Sequence, residues 1–216
     1  MRSTLSRADT RAFYNRISRA YDLLAERSEH AVRQAALESL AARSGEAVLE
    51  IGSGTGHSLA DLAATVGKTG RVYGIDLADL MLAQASGLLE HRQLRQQVDL
   101  ICGDASKLPF AAGSFDGVLM TFTLELFDTP EIPVVLDECK RVLKPGGRLA
   151  VAGMSKEGAH GLILEAYEWS HRHFPNFVDC RPIFVARAVA EAGFELIEKR
   201  RMDIWVPVEI VLARKT

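Results

Sequence analysis

Short apolar runs alternate along the chain with segments whose apolar residues recur at helical spacing. The runs lie at 47–52, 71–76, 98–104, 115–124 and 146–154, and the helical segments lie at 59–66, 80–93 and 132–143. Several runs are apolar almost without interruption, which is typical of parallel strands that helices cover on both faces. The pattern therefore predicts an α/β fold with a doubly wound, Rossmann-like sheet.

The carboxyl-terminal part of the pattern differs from the rest. A helical segment at 185–194 is followed by two apolar runs, 194–202 and 205–215, with only a short link between them. Two strands without a crossover helix between them pair antiparallel if they pair at all. We therefore expect a seven-stranded, mostly parallel sheet that an antiparallel carboxyl-terminal hairpin completes.

The residues before 44 contain no strand signal and are helix-prone. We expect residues 1–43 to form a helical cap or lid on a domain of residues 44–216. One side of this helix is apolar and has arginines beside it: Phe13, Ile17, Ala20 and Leu24, with Arg11, Arg16 and Arg19. The arrangement fits two interpretations, a cap docked on the sheet edge or a basic amphipathic helix on an anionic membrane surface.

Composition and charge limit the classes of function. The 216 residues suffice for one domain, and the formal net charge is −2, although residues 1–20 alone carry +4. Nucleic-acid binding is disfavoured because it needs a concentrated excess of lysine and arginine. The cysteines, Cys102, Cys139 and Cys180, match neither a disulfide framework nor a metal motif, and no apolar run could span a membrane. We expect a cytoplasmic protein without a metal site, and its oligomeric state stays open.

Three glycines, Gly52, Gly54 and Gly56, follow the first strand at every second position. Glycine lets a ligand approach the main chain closely, and the amides at the start of the next helix favour electron-rich groups. The dinucleotide motif G-x-G-x-x-G would need its third glycine where His57 stands. The turn therefore indicates a nucleotide-like ligand and weakens the case for a nicotinamide or flavin dinucleotide.

Three carboxylates accompany the glycine turn. Glu50 precedes the first glycine, Asp76 ends the second strand and Asp104 ends the third. Because the carboxyl ends of parallel strands meet at one edge of the sheet, these side chains should converge on one crevice. Asp76 suits ribose hydroxyls, Asp104 suits an adenine amine, and Glu50 attracts a cation where it would repel pyrophosphate. The set fits an adenosine that carries a positive charge.

Four segments resemble, in order and spacing, the successive motifs of class I S-adenosylmethionine-dependent methyltransferases: VLEIGSGTG, VYGIDLADLML, GDASKLPFAAGSFD and RVLKPGGRL. The third segment is most similar to the ubiquinone and menaquinone biosynthesis methyltransferases. The resemblance is strong over residues 47–154 and loose elsewhere. It implies S-adenosylmethionine as the cofactor and methyl transfer as the reaction.

The resemblance also implies roles for individual residues. Asp76 would hold the ribose hydroxyls, Leu77 would cover the adenine, and Asp104 with the Ala105 amide would contact the adenine edge. The other residues implied to contact the cofactor are Tyr21, Glu50, Gly52, Ser53, Gly54, Gly56, Met81 and Thr121, with Phe122 next to Thr121 under the methyl donor.

Methyl transfer by in-line displacement needs mainly alignment from the protein, so a general base is dispensable. The candidates for a base or an acceptor contact are His57, Glu125, His160, His171, His173 and Asp179, with Tyr21 as a lid residue. We expect a small hydrophobic or lipid-like acceptor, first a quinol ring carbon and second the amine of phosphatidylethanolamine. A nicotinamide-dependent dehydrogenase and a non-catalytic lipid- or nucleotide-binding module are more distant alternatives.

Overall fold

The computed structural model describes residues 7–157, 182–204 and 206–216, and within α1 it describes only the backbone of residues 7–10 and 17–28. The helices are α1 (Arg7–Leu40), α2 (His57–Val66), α3 (Asp79–His91), α4 (Ile132–Val142) and α5 (Val185–Glu191). The strands are β1 (Ala47–Ile51), β2 (Arg71–Asp76), β3 (Val98–Cys102), β4 (Phe115–Thr121), β5 (Leu143–Met154), β6 (Glu195–Asp203) and β7 (Pro207–Arg214). Two 3-10 turns lie at Arg95–Gln97 and Leu124–Leu126.

The seven strands form one sheet in the order β3-β2-β1-β4-β5-β7-β6. Neighbouring strands from β3 to β5 pair parallel, whereas β7 pairs antiparallel with both β5 and β6. The predicted fold class is confirmed, including the antiparallel pair at the carboxyl-terminal end. The hairpin is folded so that its second strand, β7, lies inside the sheet and its first strand, β6, forms the edge.

Two strand boundaries differ from the sequence prediction. The apolar run 115–124 predicts a strand to residue 124, but β4 ends at Thr121 because Phe122 adopts a φ of 50° and a 3-10 turn follows. The strand predicted from residue 146 begins earlier, at Leu143, which pairs with Phe115 before a register shift. In the first case a left-handed residue ended an apolar run that the hydrophobic pattern alone would continue.

The sheet separates two apolar cores, as expected for strands that are covered on both faces. On one face, Ile51 and Met120 pack with residues of α4 and α5. On the other face, Val48 and Leu119 pack with residues of α1, α2 and α3. Helix α2, which follows β1, and helix α4, which follows β4, thus lie on opposite faces of the sheet. The connections that leave these two neighbouring strands therefore run to opposite sides. In doubly wound sheets a ligand crevice opens at the carboxyl ends of the strands at this point.

Helix α1 covers one face of the sheet with its carboxyl-terminal end, where Val32, Ala36 and Leu40 are fully buried. Its 34 residues make it about 51 Å long, and its amino-terminal end reaches α3, where Arg11 binds Asp79. Among the residues that the structure describes, no helix is long and apolar enough to cross a membrane. The division of the chain into a cap and a domain at residue 44 stays a prediction.

Candidate functional site

A crevice opens at the carboxyl ends of β1, β2, β3 and β4, under the amino-terminal end of α1. Its lining includes four residues from the glycine turn and the second strand, namely Gly52, Gly54, Asp76 and Leu77. It also includes Met81, Asp104, Ala105 and Thr121 from three further segments. The structure therefore brings these eight residues, and Phe122 next to Thr121, to one site.

The glycines of the turn have different surroundings. Gly52 has a φ of 71°, and a Cβ on it would lie 2.2 Å from Thr123 Oγ1 and 2.5 Å from Thr123 Cγ2. Gly54 has a φ of 52° and lines the crevice, and nothing lies within 4 Å of the Cβ position. Gly56 lies outside the lining, and its Cβ would lie 2.7 Å from Ala85 Cβ on α3. Only Gly54 leaves open space inside the crevice, where a ligand can approach the main chain.

Asp76 is tied to the glycine turn through its carboxylate. Its Oδ2 accepts a hydrogen bond of 2.8 Å from the Gly54 amide, and its Oδ1 accepts one of 2.8 Å from the Ala78 amide. Burial raises the pKa of Asp76, and the amides of Ala78, Gly54 and Leu77 oppose this shift. Because each oxygen has a second lone pair, the carboxylate can accept hydroxyl hydrogen bonds while it orders the turn.

Asp104 lies two residues after the end of β3, where the chain forms part of the crevice wall. Its Oδ1 accepts a hydrogen bond of 2.9 Å from the Ser106 amide, and its carbonyl accepts one from the Lys107 amide. This turn, in which an aspartate side chain binds the backbone two residues later, is common for aspartate. It places the carboxylate and the neighbouring Ala105 at the crevice wall.

Glu50 and Ser53 lie next to the crevice rather than in its lining. Both are buried, and Glu50 is only 1% exposed. Burial raises the pKa of Glu50 to about 8, although a hydrogen bond from Ser58 and the charge of Arg33 oppose the shift. A contact between either side chain and the cofactor stays a prediction.

The candidates for a base lie in different places. Glu125 is 1% exposed, and its Oε1 accepts a hydrogen bond of 3.0 Å from the Met154 amide at the end of β5. It lies next to Leu126, which lines the crevice. His57 is the first residue of α2 and is partly exposed. The remaining candidates lie outside the described residues or side chains: His160, His171, His173, Asp179 and the side chain of Tyr21.

The two buried glutamates predict a pH dependence of stability. Burial raises the pKa of Glu50 to about 8 and that of Glu125 to about 7, from an ordinary value of 4.5. Between pH 4.5 and 8 the folded protein therefore holds protons that the unfolded chain releases. We expect the free energy of unfolding to fall as the pH rises through this window, by at most about 1.4 kcal/mol per unit and group. Urea denaturation at pH 5, 6.5 and 8 measures the slope.

Glu50→Gln is the matched test of this pH dependence. The variant keeps the shape of the side chain but does not ionise, so its stability should improve relative to the wild type as the pH rises. Glu90→Gln, at an exposed position on α3, serves as the control and should leave the slope unchanged. Parallel stability curves for the wild type and Glu50→Gln would contradict the assignment.

The sequence predicted a helical cap or lid with Tyr21 at the cofactor, but it did not predict that Arg11 and Tyr14 form part of the crevice wall. Arg11 and Tyr14 line the crevice, and Arg11 Nη2 and Asn15 Nδ2 each lie 2.9 Å from Asp79 Oδ1. Asn15 Oδ1 in turn accepts a hydrogen bond from the Leu80 amide. The hydrogen bonds from Asn15 and Arg11 lower the pKa of Asp79. These contacts hold the amino-terminal end of α1 over the start of α3.

The connection from β4 to α4 supplies a further part of the wall. Phe122, which the resemblance implies to lie under the methyl donor, lines the crevice here. The sequence did not single out the other lining residues of this connection, Thr123, Leu126, Phe127, Asp128 and Glu131. The sequence D-x-x-E at 128–131 resembles a capping box, and the Asp128 amide donates to Glu131 Oε2 at 3.4 Å. Helix α4 nevertheless begins at Ile132, with Glu131 as its N-cap residue. The motif could therefore have marked the approach to α4 in the sequence, although not its first residue. No comparable signal marks Phe127 as a crevice residue.

Comparison with known proteins identifies related sequences and structures. A family model described as a methyltransferase domain matches residues 48–147. The demethylmenaquinone methyltransferase of Beutenbergia cavernae is 34% identical over 169 residues, which cover 74% of this chain and 66% of that protein. The corresponding enzyme of Lactococcus lactis subsp. lactis is 34% identical over 213 residues, which cover 87% of this chain and 82% of that protein.

A solved structure supports the same relationship. The crystal structure of an S-adenosylmethionine-dependent methyltransferase from Aquifex aeolicus superimposes with a TM-score of 0.64 at 26% sequence identity. The superposition covers 85% of this chain and 89% of that one. The fold thus has a counterpart of related sequence.

Proposed function

Because the chain belongs to the S-adenosylmethionine-dependent methyltransferase family, we propose that it methylates a ring carbon of a quinol, with demethylmenaquinol as the first candidate. The chain is an enzyme, and S-adenosylmethionine is its cofactor. The observation that carries the proposal is the similarity to the Lactococcus lactis demethylmenaquinone methyltransferase over 82% of that protein. The findings give no support to a dehydrogenase, a phospholipid amine methyltransferase or a non-catalytic module.

The crevice has the space and the polar groups that the cofactor requires. Gly54 leaves open space along the main chain, and the carboxylates of Asp76 and Asp104 line the same crevice. We propose that Asp76 accepts hydrogen bonds from the ribose hydroxyls and that Asp104 with the Ala105 amide contacts the adenine. Gly52 and Gly54 would border the methionine part. S-adenosylmethionine, when bound, supplies an electrophilic methyl group on a sulfonium.

The aromatic part of the wall suits a planar, apolar acceptor. Tyr14, Phe122 and Phe127 line the crevice near the glycine turn, and aromatic rings stack favourably on planar rings. The proposed reaction would join the methyl group that the cofactor supplies to a quinol ring carbon, and S-adenosylhomocysteine would leave. The ring carbon would lose its proton to water, which restores the aromatic ring. The electrons for the new bond come from the quinol, so the reduced form must be the substrate.

A labelled-methyl transfer assay tests the proposed acceptor. Purified protein with methyl-labelled S-adenosylmethionine is offered demethylmenaquinol, oxidised demethylmenaquinone and phosphatidylethanolamine vesicles in parallel. We expect label in the reduced quinol fraction alone, because the oxidised ring is electron-poor. Label in phosphatidylethanolamine would contradict the proposal. So would an unlabelled quinol fraction from protein that binds S-adenosylmethionine in a calorimetric titration.

A further inference from the structure

Phe122 has an unusual backbone conformation for an aromatic residue. Its φ of 50° lies in the left-handed region, where bulky residues are rare. The other non-glycine residues with positive φ in the described part of the chain are Ala41 and Gln93, which follow the ends of α1 and α3. Left-handed residues commonly terminate helices. Phe122 instead follows the central strand β4, so helix termination does not explain it.

The contacts around Phe122 hold this conformation in place. Its amide donates a hydrogen bond of 2.8 Å to the Ala152 carbonyl, which continues the pairing of β4 with β5. The Thr123 hydroxyl donates to the Thr121 carbonyl at 2.9 Å. The Thr123 side chain also occupies the space in which a Cβ on Gly52 would lie. The bend at Phe122 is therefore coupled directly to the glycine turn.

The bend changes which residues face the crevice. In an extended strand, consecutive side chains point to opposite faces, but the consecutive residues Thr121, Phe122 and Thr123 all line the crevice. Strained backbone conformations concentrate at functional sites because the surrounding structure must hold them there. Phe122 is half-buried: it packs against the apolar core that α1, α2 and α3 form with the sheet, and it also lines the crevice. The bend therefore holds the residue at the boundary between this core and the crevice.

We propose that Phe122 determines acceptor specificity by stacking against a planar acceptor ring, and that its left-handed backbone keeps the ring beside the glycine turn. The proposal rests on the proposed function in one respect, since it takes the acceptor to be a planar ring. Among the aromatic residues of the wall, Phe122 is singled out because its neighbour Thr123 contacts Gly52. Phe127 and Tyr14 would extend the same apolar surface.

Two substitutions test the stacking contact. Phe122→Leu keeps an apolar side chain without a ring, and Phe122→Tyr keeps the ring. We expect Phe122→Leu to raise the KM for demethylmenaquinol about five- to tenfold and to leave the dissociation constant for S-adenosylmethionine within about twofold. Phe122→Tyr should restore the KM. An equal loss of cofactor affinity in Phe122→Leu, or an unchanged acceptor KM, would overturn the proposal.

A binding probe separates this proposal from the proposed function. 1-Naphthol is titrated, by its own fluorescence, into protein saturated with S-adenosylhomocysteine, so no methyl transfer is needed. Phe122→Leu should weaken the binding of 1-naphthol about fivefold, and Phe122→Tyr should leave it unchanged. If the wild type fails to methylate demethylmenaquinol but the probe shows this dependence, the acceptor is wrong and the role of Phe122 stands. If the quinol is methylated but Phe122→Leu leaves the affinity for 1-naphthol unchanged, the proposed role of Phe122 is wrong.

Melting temperatures test whether the left-handed backbone at Phe122 is strained. Glycine tolerates a left-handed conformation and alanine does not, so Phe122→Gly should melt about 2–4 °C above Phe122→Ala. Asp137, exposed on helix α4, provides the matched control, where the alanine variant should be the more stable of the pair. A Phe122→Ala variant at least as stable as Phe122→Gly would show that the position carries no strain and would overturn this part.

Discussion

Gly52→Ala is expected to abolish cofactor binding and to lower the free energy of unfolding by about 2–5 kcal/mol. A left-handed backbone costs alanine about 1–2 kcal/mol, and overpacking against a neighbour costs about 1–3 kcal/mol more. The new Cβ would lie within 2.9 Å of three atoms of Thr123, so either the glycine turn or the bend at Phe122 must move. Calorimetric titration with S-adenosylmethionine and urea denaturation measure the two losses.

Substitutions at two other glycines separate the effect of the left-handed backbone from the effect of overlap with Thr123. Gly113→Ala, in a loop away from the crevice, shares the left-handed φ and has open space, so it should lose only about 1 kcal/mol and keep cofactor affinity. Gly54→Ala should lose similarly little stability but should impair binding, because its Cβ would enter the crevice. Adding Thr123→Gly to Gly52→Ala removes the overlapping atoms and should recover part of the stability. Cofactor affinity that survives in Gly52→Ala would refute the assignment of the turn.

Asp76→Ala is expected to weaken S-adenosylmethionine binding at least about 30-fold. Hydrogen bonds to a charged group are worth about 1.5–3 kcal/mol each, and the variant loses those proposed to the ribose. It also releases the amides of Gly54 and Ala78, which the carboxylate orders in the structure. Asp76→Asn should be nearly as impaired, because the side-chain amide would point a donor at one of these two N–H groups.

Asp137→Ala is the control for Asp76→Ala, since it removes an exposed carboxylate from helix α4. It should bind S-adenosylmethionine like the wild type, which excludes a general effect of net charge on a cationic ligand. Melting temperatures of all three variants show whether any loss of affinity reflects unfolding. Undiminished affinity in a folded Asp76→Ala protein would remove Asp76 from the cofactor site.

The hydrophobic pattern predicted the fold and the glycine turn predicted the centre of the crevice, for a common physical reason. Strands covered on both faces must be apolar along their length, so the sequence shows them directly. Parallel strands also end at one edge, so Asp76 and Asp104 could be placed next to Gly52 and Gly54 without coordinates. Local sequence and topology together determine these positions.

The parts that the sequence did not predict depend on contacts between distant segments. Phe122 leaves the strand conformation within an apolar run, and its hydrogen bond to Ala152 and the packing of Thr123 on Gly52 are tertiary contacts. Arg11 lies 68 residues from Asp79, and nothing in either local sequence marks the pair. Side-chain contacts of this range appear only when the whole chain is folded.

The position of β7 in the sheet has a consequence for the order in which the protein can fold. Among the strands that the structure describes, β7 alone pairs with β6, and it also pairs with β5. Until residues 207–214 pair with β5, β6 has no strand in the sheet to pair with. The edge of β5 is then unpaired, and a strand of another chain could pair with it. We therefore expect β6 and β7 to join the sheet together, and the sequence separation between β5 and β7 to make this step slow.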